Sequence, residues 1–163
     1  MVEVVVARLG LDSTSDSFVV MLRERQGTRV LPIWIGRPEA ESIAMELNHV
    51  PRERPMTHDL CATMLRALGG TLERVVVTRM QQRTFFAELH LQSVTGPQII
   101  DARPSDSIAM ALRCQAPVFV AETLLAEPDN APDEPPATSQ MTAEQLKAYL
   151  ANLRPEDFGK FMP

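Results

Sequence analysis

Apolar and polar residues follow a two-residue, strand-like rhythm in the first third of the chain, then change to a helical rhythm after Gly36. Val2–Leu9, Phe18–Leu22 and Arg29–Ile35 are β-rich runs. They are separated by the turn-forming stretch Asp12-Ser-Thr-Ser-Asp16 and by Gln26-Gly27. Together they predict a three-strand antiparallel meander. Pro32 inside the third run points to an edge strand or a bulge, because proline lacks the N–H that a central ladder needs. Pro38 then suits a first helical turn, with Glu39 and Glu41 complementing the dipole and Ile43, Ala44, Leu47 and Val50 forming a stripe. A second helix is predicted from an N-cap at Thr57, with Leu60, Met64, Leu65 and Leu68 as its apolar face and Gly69-Gly70 as its stop.

The same order then returns. Strands are predicted over Leu72–Arg79, Phe85–Leu91 and Gln98–Asp101, followed by a helix capped by Ser105 and running to Arg113. A short strand, Val118–Val120, and a short helix, Ala121–Ala126, complete the pattern. Ser42-Ile-Ala-Met-Glu-Leu47 recurs as Ser107-Ile-Ala-Met-Ala-Leu112, and Arg37-Pro38 matches Arg103-Pro104 with a one-residue gap. Motif and element order together suggest an internal βββα duplication. The predicted class is α+β: a mixed or antiparallel sheet with helices packed on it, over residues 1–126. Residues 127–140 are rich in Pro, Ala, Asp and Glu and read as an acidic linker. Residues 141–163 read as a short helical tail, opened by the capping box Thr142-Ala-Glu-Gln145 and carrying the stripe Leu146, Tyr149, Leu150 and Leu153. A tail helix this short is expected to dock on the domain or on another subunit.

Composition narrows the function classes. The longest apolar run falls far short of the ~20 residues that span a bilayer, and the N-terminus reads as a strand, not a leader. Two cysteines, Cys61 and Cys114, fit a reducing compartment, so a cytoplasmic location is expected. The net charge of −5 is uneven. From Ala126 to Pro163, seven acids and three bases give −4, which leaves −1 for the first 125 residues. That near-neutral balance is not the footprint of a protein that reads nucleic-acid sequence with high affinity. It is compatible with a local basic groove. All 13 bases of the first 125 residues are arginine, the side chain suited to forked phosphate contacts.

The segment Asp101-Ala-Arg-Pro-Ser-Asp106 carries the most chemistry. A helix N-terminus presents unpaired N–H groups, and Arg103 beside it could fork onto a phosphate, with Ser105 and Arg37 as further substrate contacts. Asp101 and Asp106, with Glu41 from the first half, could hold a divalent cation, Mg²⁺ or Mn²⁺. His58 is a candidate base and Asp59 a second catalytic carboxylate. The plainer alternative is capping: Ser105, Asp106 and Asp59 all suit helix starts. Glu39 and Glu41 read as a solvated helix start, and Trp34 as core or subunit interface.

Five stretches resemble the bifunctional nuclease family, also called domain of unknown function 151. They are Leu31-Pro-Ile-Trp-Ile-Gly36, Glu39-Ala-Glu-Ser-Ile-Ala44, Met56-Thr-His-Asp-Leu60, Thr84-Phe-Phe-Ala87 and Asp101-Ala-Arg-Pro-Ser-Asp-Ser-Ile-Ala109. The resemblance covers residues 1–125. It implies a compact α+β domain and combined ribonuclease and deoxyribonuclease activity, with RNA or DNA as a transient substrate. Some members carry a UvrB/UvrC-like helical hairpin at the C-terminus, for which this tail is too short. Two functions are carried forward: a metal-assisted nuclease acting on phosphodiester bonds, and a non-enzymatic, homo-oligomeric scaffold or anion-binding regulatory module.

Overall fold

A computed structural model describes residues 1–12 and 17–128. The Asp12–Asp16 turn, most of the acidic linker and the whole tail expected from the sequence therefore lie outside the described residues. Strands β1 (Val2–Asp12), β2 (Ser17–Glu24) and β3 (Val30–Ile35) form the first antiparallel meander. Helices α1 (Arg37–Leu47) and α2 (Thr57–Ala67) follow. Strands β4 (Thr71–Gln81), β5 (Thr84–Ser93) and β6 (Gly96–Ala102) form the second meander, followed by α3 (Pro104–Cys114) and β7 (Val118–Val120).

All seven strands belong to one mixed sheet, in the order β3-β2-β1-β7-β4-β5-β6. The three residues of β7 join the meanders, pairing antiparallel with β1 and parallel with β4. β1 and β4 thus run in opposite senses on either side of it. Two meanders arranged about a central strand are the layout a repeat would give, but this arrangement alone does not establish a duplication.

Both prolines in strands, Pro32 of β3 and Pro97 of β6, lie on edge strands, where a missing donor breaks no ladder. The core lies between one sheet face and the helices. Val20, Leu22, Ile33, Val75, Val77, Ala87 and Val120 meet Ile43 of α1 and Ile108 and Ala109 of α3. Among the described residues, no helix is long and apolar enough to cross a membrane.

Three local expectations need correction. The caps fall one or two residues early: Met56 caps α2 and Arg103 caps α3, so Thr57 and Ser105 lie inside the first turn. Pro104 explains the second case, because its fixed φ already fits the first helical position. The predicted helix Ala121–Ala126 is only a 3₁₀ turn, Glu122–Leu124, after which Ala126 bridges to Val30. The largest difference is in α2. Leu65 packs against the core, but Leu60, Met64 and Leu68 are 50%, 54% and 74% exposed. The helix turns the opposite stripe inward, His58, Ala62 and Leu65, spaced by four and three residues. An ion pair from Asp59 to α3 decides this orientation over the apolar pattern.

Candidate functional site

Helices α1, α2 and α3 meet on a chain of polar side chains. Arg113 of α3 is 4% exposed as a side chain. It donates to Asp59 Oδ1 at 2.6 Å, to the Ala109 carbonyl at 3.0 Å and to Ser42 Oγ at 3.1 Å. Ser42 Oγ lies 2.9 Å from His58 Nδ1, and His58 Nε2 lies 3.1 Å from Asp106 Oδ1. A guanidinium can only donate and a carboxylate can only accept. With a neutral ring, this fixes the direction: Arg113 donates to Ser42, Ser42 to His58 Nδ1, and His58 Nε2–H to Asp106.

The order Ser–His–Asp is that of a hydrolytic triad, but Ser42 is only 4% exposed and its oxygen is shared with Arg113. A substrate cannot approach it there. The chain instead positions Asp106, which takes a forked pair of bonds from Arg103: Nε at 2.7 Å and Nη2 at 3.0 Å. The third nitrogen, Arg103 Nη1, reaches Glu39 Oε1 at 2.9 Å. The starts of α1 and α3 are thereby tied together through one guanidinium, which is still 65% exposed as a side chain.

Those two helix starts face a cleft of about 260 Å³. It is lined by Gly36 and Glu39 on one side, Arg103 and Ser105 on another, Trp34 and Phe85 from the strands, and Arg83 from the β4–β5 turn. Gly36 leaves room for the Glu39 carboxylate. A Cβ there would stand 2.5 Å from a Glu39 carboxylate oxygen. Ser105 is 7% exposed, and its hydroxyl has no hydrogen-bond partner among the described residues.

The electrostatics follow from the arginines. Burial alone would raise the Asp106 carboxyl, but bonds from Arg103 and His58 outweigh it and hold the group below its ordinary range. Burial also works against ionised Asp59, and is outweighed by the Met56 N–H, Arg113 and Arg52, so Asp59 is lowered too. The Arg103 guanidinium is held more firmly protonated by Asp106 and Glu39.

Of the residues expected from sequence, the structure joins His58, Asp106 and Arg103 directly. Of these only Arg103 lines the cleft, and Ser105 lines it too. Asp59 is spent on structure, accepting the Met56 N–H at 2.9 Å and two guanidinium contacts, from Arg113 and Arg52. Arg37 and Glu41 pair with each other at 2.9 Å, four residues apart on α1. Asp101 is exposed on β6, opposite Glu88, and among the described residues it makes no ion pair, with Arg103 or any other cation. No three His, Cys, Asp or Glu side chains come together as a metal site among the described residues.

Sequence reasoning passed over Glu39, which is not solvated but 16% exposed, and Ser42, Arg113 and Arg83. It placed Trp34 in the core or a subunit interface; within one chain the ring is 42% exposed, so it is not a core residue. The repeated Ser-Ile-Ala-Met motif was the available signal for Ser42. Nothing local marked Arg113.

A bifunctional nuclease domain model matches residues 20–132. The chain belongs to the bifunctional nuclease domain family. An uncharacterized protein of Mycobacterium tuberculosis is 38% identical over 162 residues, covering 96% of this chain and 97% of the relative. Bifunctional nuclease 1 of Oryza sativa subsp. japonica is 23% identical over 150 residues, 90% of this chain but 45% of that protein. Bifunctional nuclease 2 of Arabidopsis thaliana is 30% identical over 105 residues, 62% of this chain and 32% of that protein. Against these plant members of the family the chain spans less than half the length. The matched region includes every residue of the Arg113–Ser42–His58–Asp106–Arg103–Glu39 chain.

Proposed function

We propose that this protein hydrolyses phosphodiester bonds in RNA and DNA at the cleft between the starts of α1 and α3. The observation that carries the reading is the Arg103 guanidinium. It is fixed by Asp106 and Glu39, yet open to solvent and set between two helix N-termini. Such a place favours a phosphate, through donor geometry and helix dipoles together. Arg103 binds and neutralises the scissile phosphate. Glu39, the carboxylate that lines the cleft, takes the proton from an attacking water; the new P–O bond forms as the bond to the leaving oxygen breaks, and that oxygen takes a proton from solvent while Glu39 returns its own. His58 and Asp106 hold Arg103 in register, so they act as positioning residues. The described residues offer no three-carboxylate set, so no step is routed through a metal. The Mg²⁺ or Mn²⁺ assistance expected from the sequence is put to the assay directly.

Purified protein is incubated with single-stranded RNA and DNA, with Mg²⁺ or Mn²⁺ and then with chelator. The expected result is cleavage, lowered about 100-fold or more by Glu39→Gln, because a positioned acid or base contributes ~10²–10⁴-fold. Cleavage that survives chelator assigns the chemistry to the side chains alone. A second reading, an anion-binding scaffold, draws on the full arginine pairing of these carboxylates. Absence of turnover under every metal, with phosphate still bound, would favour it. A homo-oligomer belongs to either reading, because Met56, Leu60, Met64 and Leu68 leave an apolar stripe exposed along α2.

A further inference from the structure

The β4–β5 hairpin turns on Gln82 and Arg83, at φ 49° and 62°. Both lie in the left-handed region, which a two-residue hairpin of this kind needs and which Asn-Gly supplies without strain. Glutamine and arginine carry a conformational cost there. Residues kept in such backbone conformations cluster at ligand sites. The cost falls on a residue that lines the cleft: Arg83 stands with Trp34, Phe85, Arg103 and Ser105. Among the described residues Arg83 has no ion pair, unlike Arg103, whose guanidinium is shared between two carboxylates. Strand alternation turns Trp34 to the opposite face from the buried Ile33 and Ile35, and leaves its ring 42% exposed.

We infer that Trp34 and Arg83, with Phe85 as the cleft wall behind them, form a nucleobase subsite, which takes one unstacked base of a single strand on the tryptophan ring and the neighbouring phosphate on Arg83. The inference rests on the nuclease reading and extends it from the bond cleaved to the strand held. Three features support it. A partly exposed tryptophan beside a guanidinium that has no ion pair among the described residues is the pairing by which single strands are bound without sequence readout. The cleft is small, about 260 Å³, so it admits a single ring system and not a stacked duplex. A near-neutral domain needs few cations if stacking supplies part of the affinity.

The chain has one tryptophan, so its intrinsic emission reports this site alone. The full-length protein is titrated with oligo(dT) and oligo(U) in chelator, and binding is followed in parallel by anisotropy of a labelled strand. Saturable quenching is expected with single strands and not with a blunt duplex or inorganic phosphate. Trp34→Ala should weaken binding on the order of 10-fold or more, as expected for one stacked base, and Trp34→Phe by much less. Arg83→Gly should weaken binding while leaving Tm unchanged or higher, since it relieves the turn. Arg83→Ala should reduce the slope of log affinity against log salt by about 0.7, the value for one phosphate contact on a single strand.

Anisotropy that saturates without quenching, and is unchanged in Arg83→Ala, would place the strand elsewhere. That would overturn the subsite and leave the nuclease reading intact. Equal quenching by duplex or by phosphate alone would also overturn it. Emission that responds only to dilution of the protein would assign the ring to a subunit contact and do the same. Neither binding nor cleavage of any strand would overturn both readings.

Discussion

Arg113 is the residue on which three helices depend, and its loss should be felt in stability before anything else. Its guanidinium bonds to Asp59 of α2 and Ser42 of α1 from within α3, almost out of solvent. Arg113→Met should destabilise the domain by about 3 kcal/mol in urea unfolding, the scale for leaving one half of a buried pair unmatched. Arg52 keeps part of the charge on Asp59 satisfied and holds the cost to the low end of that range. Asp59 and Asp106 are both lowered in the folded state, so they bind fewer protons than in the unfolded chain. Their contribution is therefore complete above the ordinary carboxylate range and is lost as pH falls through the lowered values. Stability measured from pH 6 downward should fall, and Asp59→Asn should flatten the acid limb while lowering the neutral plateau. Gly36→Ala is a sharper probe of the cleft. Its backbone, φ −72° and ψ 161°, accepts alanine, but the new methyl would displace the Glu39 carboxylate. Cleavage should fall with little change in Tm, and Glu39→Gln, which leaves the backbone alone, is the test of the carboxylate itself.

The elements were largely legible in the sequence, because each carries its own periodicity and punctuation. Proline at the edge strands, glycine after α2 and the paired Arg-Pro helix entries are local signals that local structure obeys. α2 shows where such reading stops. Its apolar stripe, Leu60, Met64 and Leu68, is a clear helical pattern, yet it faces outward because Asp59 and His58 have partners 54 and 48 residues away. A pattern can show that a helix has two faces, but not which one the rest of the molecule claims. The site was legible to the same degree. His58, Arg103 and Asp106 stood out as chemistry-bearing types, whereas Arg113 and Glu39 gained their roles only through contacts across the fold. The exposed stripe has its own test. Leu60→Lys with Leu68→Lys, both at solvent-facing positions, should change monomer stability little. Sedimentation should show these variants as a smaller species than the parent protein if α2 carries the homo-oligomer contact.

At the scale of the molecule, the cleft exists because the starts of α1 and α3, from separate meanders, are brought side by side. Arg103 and Glu39 close that junction on the surface, and the helices pack on each other beneath it. The joining strand beneath is very short: β7 contributes three residues, of which Val118 and Val120 are buried. Val120→Ala should cost about 2 kcal/mol as a buried truncation, and should lower both meanders' amide protection together. Among the described residues, β7 is also the last strand of the sheet in chain order. During synthesis, which proceeds from the N-terminus, both three-strand units can form while the flanks of β1 and β4 stay without their partner. Those flanks are open edges of the kind that seed pairing between chains. The emergence of Val118–Val120 would therefore close both flanks, and a chain released before Val118 would be left with two adhesive edges.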